Sequence, residues 1–334
     1  MAYELEKQVA IAAVIDAGKL CERVRRDITP EAIEKKDKSP VTVADFGSQA
    51  LICRTLEQAF ASDPIVGEED AAELRTPDMA SALAQVTQHV RAIAPDATPE
   101  AVADWIDRGN GEPTGRFWTL DPIDGTKGFL RGDQYAVALA LIEEGEVKVG
   151  VLGCPALPIN LDNPDAGIGV IFVAVRGEGT TMIPIGQGMP QSIRVADSSD
   201  RSRLRFVESV ESGHGDQSRQ QAVAQAVGIT TPSLRMDSQA KYGGVASGQA
   251  ALYLRLPSPK SPDYREKIWD HAAGVIVVEE AGGRATDMYG KPLDFSKGVK
   301  LVDNQGVVVS NGSIHDTVLA ALEQSIESAV SPTG

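Results

Sequence analysis

The sequence has few cysteines and histidines and no long apolar run. Its three cysteines, Cys21, Cys53 and Cys154, are odd in number and far apart, which excludes a disulfide framework and a thiolate zinc site. None of the four histidines pair at the spacing of a histidine-rich metal site, so any metal would have oxygen ligands, which favours Mg²⁺ over Zn²⁺. No stretch approaches the roughly 18 apolar residues of a membrane span. We therefore expect a cytoplasmic protein without a membrane partner.

Basic residues are also in deficit. The 334 residues contain 32 Lys+Arg against 47 Asp+Glu, a net charge of −15. Nucleic-acid binding needs a basic face, so this balance argues against a nucleic-acid partner. At roughly 150 residues per domain, the length predicts about two domains.

The first half of the chain predicts an α+β domain over residues 1–195. Apolar residues at helical spacing predict amphipathic helices over Leu5–Val24 and Phe46–Phe60, with a short polar hairpin or loop between them. Five strands follow, at Phe117–Leu120, Tyr135–Ile142, Glu146–Leu152, Ile168–Val175 and Thr180–Ile185. We expect a mostly antiparallel sheet backed by the two helices. The Ala-, Asp- and Glu-rich segment 70–116 is interpreted as a surface insertion.

The second half predicts an α/β domain over residues 196–334, in which strands alternate with helices. The strands are expected at Leu204–Val207, Ala250–Leu256 and Val307–Ser310. The helices are expected at Gln217–Val227, Lys241–Gly248, Ile268–Ala281 and Ile314–Ser328.

The most informative motif is Asp121-Pro122-Ile123-Asp124-Gly125-Thr126, directly after a predicted strand. Two carboxylates three residues apart, in a turn forced by proline and glycine, converge on one point together with the Ile123 carbonyl. Hard oxygen ligands at this density suit Mg²⁺. The alternative is an ordinary surface turn capped by aspartate.

Three other carboxylates lie where they can join this motif. Glu68 follows a short apolar run, Asp270 opens a predicted helix, and Asp45 precedes another. Taken alone, each of these carboxylates is typical of a solvated acidic turn or of a helix cap. Together with the aspartate motif they suggest a cage for several metal ions.

These blocks, in order, resemble the signature of the inositol monophosphatase superfamily. They are Ser39-Pro40-Val41-Thr42 with Asp45, Gly67-Glu68-Glu69, the aspartate motif, and Trp269-Asp270-His271-Ala272-Ala273-Gly274 running on to Gly283. The resemblance covers about residues 1–325 and implies a layered α/β/α/β/α sandwich. It also implies two or three Mg²⁺ ions per site, held by Glu68, Asp121, the Ile123 carbonyl, Asp124 and Asp270. Asp45, Thr126 and Glu68 are the implied catalytic residues, with Asp45 and Thr126 positioning or deprotonating the attacking water.

Further blocks resemble the superfamily's bisphosphate nucleotidase branch. They are Lys127–Gly132, Asp237–Tyr242 and Tyr253–Pro257. This resemblance implies hydrolysis of the 3′-phosphate of adenosine 3′,5′-bisphosphate, and sensitivity to Li⁺ and Na⁺. The implied substrate-binding residues are Asp124, Thr126, His214, Ser238, Lys241, Arg255 and Asp270. Lys241 and Arg255 supply cations for the second phosphate, and His214 lies against the adenosine.

Two other functions stay open at this point. The chain can be a phosphatase of inositol phosphates, which shares the metal cage and differs in the substrate wall, or a regulator that binds cations or nucleotide without catalysis. A glycosidase is disfavoured because its two carboxyls stand on opposite sides of the scissile bond. We expect a monomer whose partner is a small-molecule nucleotide bisphosphate.

Overall fold

The computed structural model describes residues 2–27, 32–34, 40–186, 188–197, 199–211 and 216–330. Within these ranges the helices are α1 (Glu4–Asp27), α2 (Val43–Ala59), α3 (Ala80–Arg91), α4 (Pro99–Asp107), α5 (Thr126–Arg131), α6 (Gln217–Ala226), α7 (Ala240–Ala246), α8 (Ala272–Glu280) and α9 (His315–Val330). The strands are β1 (Ala32–Glu34), β2 (Pro40–Thr42), β3 (Ile65–Gly67), β4 (Arg116–Asp124), β5 (Ala136–Glu143), β6 (Glu146–Pro158), β7 (Ile168–Val175), β8 (Gly179–Pro184), β9 (Gln191–Ile193), β10 (Phe206–Glu208), β11 (Leu234–Arg235), β12 (Leu252–Arg255), β13 (Arg284–Thr286) and β14 (Val307–Ser310).

The strands form two main sheets. The larger has the order β3-β4-β5-β6-β7-β8-β9, in which β3 and β4 are parallel and the other neighbours are antiparallel. The smaller has the order β11-β10-β12-β14-β13 and is mixed. β1 and β2 pair as an antiparallel hairpin between the first two helices. The mostly antiparallel sheet predicted for the first half is confirmed.

The larger sheet buries both of its faces. Along β5, Val137, Leu139 and Leu141 pack into one core with α1–α4. The alternate residues Ala138 and Ala140 belong to a second core, with α7 and α8. This period-2 alternation places helices on each side of the sheet.

The first seven residues of α8, from Ala272 to Val278, are apolar, and all of them are buried. This helix shares a core with both sheets, to which Tyr253 and Val309 of the smaller sheet contribute. On the far face of that sheet, Leu254 packs with α6 and α9. The layers are thus helix, sheet, helix, sheet, helix, which confirms the expected α/β/α/β/α sandwich.

The interpretation of residues 70–116 as a surface insertion is wrong. The helices α3 and α4 lie in this segment and pack against α2. Val86, Val90, Val102 and Ile106 are completely buried in the first core. Each pair is spaced four residues apart, so a segment rich in alanine and acidic residues still presents one apolar stripe per helix.

The domain boundary near residue 195 stays a prediction. The larger sheet ends at Ile193 and the smaller begins at Phe206. Between the sheets, α7 and α8 belong to a core that both sheets share.

A buried histidine beside the smaller sheet predicts a pH effect on stability. His315 is fully buried between the hydroxyls of Thr286 and Ser310, each 2.9 Å from a ring nitrogen. Burial, together with the nearby Arg284, lowers the pKa of His315 to about 4. The unfolded chain therefore binds this proton below pH 6.5 while the native protein does not, so stability falls as pH decreases from about 6.5 to about 4.

We expect His315→Gln to lower the slope of the free energy of unfolding against pH by about 1 kcal/mol per pH unit. The measurement is the free energy of urea unfolding of both proteins at several pH values in this window. Identical slopes would show that His315 does not control it.

Candidate active site

A cavity of about 220 Å³ lies where the end of β4, the start of α5 and the segments before α7 and α8 meet. The site residues named above that line it are Glu68, Asp121, Ile123, Asp124, Thr126, Ser238, Lys241, Arg255 and Asp270. These side chains and the Ile123 segment come from five parts of the chain, so the fold gathers residues that are distant in sequence.

The aspartate motif reaches the cavity through a β-bulge. Asp121 pairs with Ala138 and Asp124 with Ala136, so β4 carries one extra residue and continues past its predicted end. Pro122 lies in the bulge, and its carbonyl accepts a hydrogen bond from the Ser48 hydroxyl at 2.9 Å. Bulges re-aim side chains beside active sites. The surface-turn alternative is wrong, because Asp121 is only 2% exposed.

The turn after the bulge depends on Gly125. Its φ of +88° is left-handed, and an added Cβ would lie 2.9 Å from Ser238 Cβ. Glycine therefore allows the turn and the segment before α7 to approach each other. Thr126 then begins α5, and its hydroxyl donates to the Ile123 carbonyl at 3.2 Å.

The buried carboxylate of Asp121 is surrounded by negative charge. Burial raises the pKa of Asp121 well above its usual range, and neighbouring carboxylates raise it further. Those carboxylates belong to Glu68, Asp124, Asp270 and Asp45. In addition, Asp121 Oδ1 is buried without a hydrogen-bond partner among the described residues.

These observations fit a bound divalent cation. Clustered carboxylates with an unsatisfied buried oxygen are costly alone, and a cation offsets both their repulsion and the missing contact. The donors are carboxylate and carbonyl oxygens, which hard cations prefer. The site therefore holds an acidic cluster that can bind a metal ion.

Asp270 lies at the junction of this cluster and a second polar group. In the part of the chain that is described, Glu266, Asp270 and His271 are the one set of three whose ligand atoms lie within 4.8 Å of one another. Burial raises the pKa of Asp270 to about 7, although Arg255 and His271 lower it. The N-cap of α8 is His271, so Asp270 does not cap this helix as the alternative interpretation supposed.

The segment that carries Glu68 is held by a residue that sequence reasoning missed. Gln49, completely buried in α2, accepts a hydrogen bond from Glu69 N at 3.1 Å and donates to the carbonyls of Glu69 and Ile106. A Cβ added to Gly67 would lie 2.7 Å from the side-chain oxygen of Gln49. The sequence shows only a glutamine one helical turn after Asp45, and its burial is known from the structure alone.

A second missed residue is Gln239, which joins three segments of the site. Its backbone N–H donates to Asp124 Oδ2 at 2.6 Å. Its side chain donates to the Trp269 carbonyl at 2.9 Å and accepts from Gly274 N at 3.2 Å. The preceding Ser238 has a φ of +65°, an unusual conformation for a residue other than glycine. Gln239 thus ties the second aspartate of the motif to the start of α8.

The two expected cations both line the cavity and differ in their partners. Lys241 is 3% exposed; its Nζ lies 3.4 Å from the Met236 carbonyl and 5.2 Å from the centre of the Tyr253 ring. Burial lowers the pKa of Lys241 to about 8. Arg255 forms an ion pair with Glu266 through Nε at 2.8 Å, and its Nη2 is 3.8 Å from Asp270 Oδ2.

Of the expected site residues that the structure describes, Asp45 does not line the cavity. Asp45 lies in the first turn of α2 and is 2% exposed. Its charge helps to raise the pKa of Asp121, as a smaller cause than burial and the charges of Glu68, Asp124 and Asp270. His214 lies outside the described residues.

Gln49 provides a test of the loop that carries Glu68. We expect Gln49→Leu to lower the free energy of unfolding by about 1–3 kcal/mol, because buried backbone groups lose their partners. The Mg²⁺ concentration for half-maximal thermal stabilisation should rise about 10-fold, since the Glu68 segment is no longer fixed. The matched control is Gln88→Leu, on the exposed face of α3. An unchanged Mg²⁺ requirement would limit Gln49 to a role in packing.

No helix in the described ranges combines the length and apolar character that crossing a membrane requires.

Comparisons with known proteins identify relatives of this chain. The inositol monophosphatase family matches residues 3–327. A 3′(2′),5′-bisphosphate nucleotidase of Emericella nidulans is 46% identical, over 97% of this chain and 99% of its own. One from Schizosaccharomyces pombe is 44% identical, over 96% of each chain. The solved structure of an inositol monophosphatase from Anabaena covers 96% of both chains with a TM-score of 0.62 at 20% identity, which is a likeness of fold. The chain therefore belongs to the inositol monophosphatase family.

Proposed function

We propose that this protein hydrolyses the 3′-phosphate of adenosine 3′,5′-bisphosphate, giving AMP and phosphate, and that it requires Mg²⁺. The sulfated analogue, 3′-phosphoadenylyl sulfate, is a second expected substrate. The names of the relatives that are 44–46% identical over nearly the whole chain support this assignment.

The observation that carries the proposal is the composition of one cavity. Among the described residues, the cavity is lined by carboxylates and cations together: seven carboxylates, from Glu68, Glu69, Asp121, Asp124, Glu211, Asp237 and Asp270, and three cations, from Lys127, Lys241 and Arg255. The proposed metal ligands Glu68, Asp121, Asp124 and Asp270 form one subsite, and the cations of Lys241 and Arg255 form an adjacent subsite of opposite charge. Each suits a phosphate, so the cavity suits a substrate with two phosphates more than one with a single phosphate, as in an inositol monophosphate.

The residues around the acidic cluster would hold the metal. Glu68, Asp121, Asp124, Asp270 and the Ile123 carbonyl are the proposed ligands, for two or three Mg²⁺ ions. When bound, the ions supply positive charge that stabilises the transferring phosphoryl group and make a bound water more acidic.

The other residues of the chain bind and orient the reactants. Thr126, which lines the cavity, and Asp45, whose charge acts on Asp121, are the proposed groups that position or deprotonate the attacking water. The water oxygen forms a bond to phosphorus as the bond to the 3′ oxygen breaks, and that oxygen takes up a proton to become the hydroxyl of AMP. Attack is in line, without a covalent phosphoenzyme. Ser238, Lys241 and Arg255 bind the 5′-phosphate, and His214 contacts the adenosine.

A substrate panel tests the function. We expect phosphate release from adenosine 3′,5′-bisphosphate in Mg²⁺ and its loss in excess EDTA, with the far-UV circular dichroism unchanged because the acidic cluster is outside the three cores. Inositol 1-phosphate and 3′-AMP are the comparison substrates. Preference for inositol phosphate would assign the other phosphatase activity; nucleotide binding without release from any substrate would indicate a regulator. Full turnover in EDTA would exclude the metal requirement.

The location and assembly of the protein also remain proposals. Cys21, Cys53 and Cys154 are free and buried, which is compatible with the reducing cytoplasm. We propose a monomer, which sedimentation equilibrium would test.

A further inference from the structure

A buried chain of polar groups runs from α7 to the cavity and is not used in the mechanism above. The Tyr242 hydroxyl lies 2.6 Å from His271 Nδ1, and His271 Nε2 lies 3.2 Å from Glu266 Oε2. The same carboxylate oxygen is 2.8 Å from Arg255 Nε. Tyr242 is fully buried, His271 is 1% exposed and Glu266 is 6% exposed.

The hydrogen bonds in this chain have a consistent direction. A carboxylate accepts only, so His271 donates from Nε2 to Glu266, and its Nδ1 then accepts from the Tyr242 hydroxyl. Arg255 donates from Nε to the same carboxylate. Each donor has an acceptor, which is the condition under which a buried polar chain is well ordered.

Glu266 and Arg255 depend on each other electrostatically. Burial raises the pKa of Glu266, but the charge of Arg255 and the contacts with His271 lower it to about 2, so the carboxylate is ionised. A buried ion pair stabilises little by comparison with apolar packing, and its role is often to fix geometry.

The contact at Nε determines where the guanidinium points. With Nε held by Glu266, the guanidinium of Arg255 is fixed in orientation, and its Nη2 lies 3.8 Å from Asp270 in the cavity lining. Glu266 and His271 do not themselves line the cavity. Glu266 therefore acts on a ligand only through Arg255.

We propose that Glu266, supported by His271 and Tyr242, is the positioning residue that orients Arg255 toward the second phosphate and thereby sets the preference for bisphosphates over monophosphates. This inference rests on the proposed function, in which Arg255 binds the 5′-phosphate. The contact of Arg255 with the 5′-phosphate is remote from the bond that breaks. Its loss therefore weakens the binding of the substrate and of the transition state about equally, and the effect appears in KM.

The test compares Glu266→Gln with the unmodified protein on two nucleotides. We expect KM for adenosine 3′,5′-bisphosphate to rise about 10-fold with kcat changed less than about 3-fold, and KM for 3′-AMP to stay within about 2-fold. The dissociation constant of AMP, measured by calorimetry, should rise by the same factor as KM for the bisphosphate. The matched control is Glu143→Gln, which removes another carboxylate paired with an arginine, Arg116, outside the cavity.

If KM rises equally for the bisphosphate and for 3′-AMP, Glu266 has a purely structural role and the inference is overturned. The inference is also overturned if neither KM changes. If Glu266→Gln does not fold, Tyr242→Phe removes only the hydroxyl at the far end of the chain. A rise of about 3-fold in KM for the bisphosphate alone would then support the inference, and no rise would overturn it. Failure of the proposed function is distinguishable, because it appears as no phosphate release from the bisphosphate by the unmodified protein.

Discussion

Replacing Asp121 with asparagine is expected to lower kcat for phosphate release from adenosine 3′,5′-bisphosphate about 100-fold or more. This carboxylate is the most buried of the cavity's acidic cluster and has an oxygen without a hydrogen-bond partner among the described residues. The substitution removes one charge from a site that stabilises developing charge, for which losses of this size are typical. Turnover at saturating Mg²⁺ is the measurement.

The stability of the same variant in the absence of metal should not fall. Without metal, the neutral amide relieves repulsion between position 121 and the neighbouring carboxylates, so the thermal midpoint should stay equal or rise. Saturating Mg²⁺ should raise the midpoint of the unmodified protein by about 5 °C, the shift expected when a ligand is present at about 100 times its dissociation constant. Most of this shift should be absent in Asp121→Asn.

The control for this experiment is Asp162→Asn, at an exposed carboxylate that is paired with Arg205. It should leave both kcat and the Mg²⁺ shift unchanged. Near-normal turnover of Asp121→Asn at saturating Mg²⁺ would show that the reaction uses a different set of carboxylates.

Replacing Lys241 with methionine should raise KM for adenosine 3′,5′-bisphosphate about 10- to 100-fold. A charge-assisted contact to phosphate contributes roughly 1.5–3 kcal/mol, and each 1.4 kcal/mol corresponds to about a factor of ten. Turnover at saturation should change much less, and KM for 3′-AMP should hardly change, because that nucleotide lacks the 5′-phosphate. Initial rates give the factor by which KM rises for each nucleotide. If KM rises equally for both, Lys241 supports the fold or the acidic cluster and does not bind the 5′-phosphate.

Substitution of Lys241 tests the 5′-phosphate contact with less effect on stability than substitution of Arg255. Removing Arg255 also leaves the buried carboxylate of Glu266 without its cation, which costs stability of its own. The contacts of Lys241 are weaker, since its ammonium makes a long hydrogen bond to a carbonyl and lies over a tyrosine ring. Lys19→Met, at an exposed lysine on α1, is the matched control.

The pKa of Lys241 predicts that KM for the bisphosphate depends on pH. Because burial lowers the pKa of Lys241 to about 8, the side chain is cationic below this pH and loses its charge above it. KM for the bisphosphate should therefore rise above about pH 8, while KM for 3′-AMP should not follow. Lys241→Arg keeps the charge to higher pH and should remove the rise.

The sequence alone predicted many of the elements in their order and named four of the carboxylates that line the cavity as candidate ligands. Helix and strand periods predicted α1, α2, β5 and the alternation of strands and helices in the second half, because these periods are local properties of the chain. The aspartate motif predicted a metal site for the same reason, since its ligands are separated by only a few residues. Glu68 and Asp270 were named as candidates from their positions at element ends.

Only the tertiary structure decided what surrounds these residues. Periodicity shows that a helix has an apolar stripe but not what covers it, so the burial of α3 and α4 could not be foreseen from their acidic composition. The contacts of Gln49 with Glu69, of Gln239 with Asp124 and of Glu266 with Arg255 join segments far apart in sequence, or depend on how two segments meet. The low pKa of Lys241 likewise follows from burial, which is set by long-range packing and leaves no local pattern in the sequence.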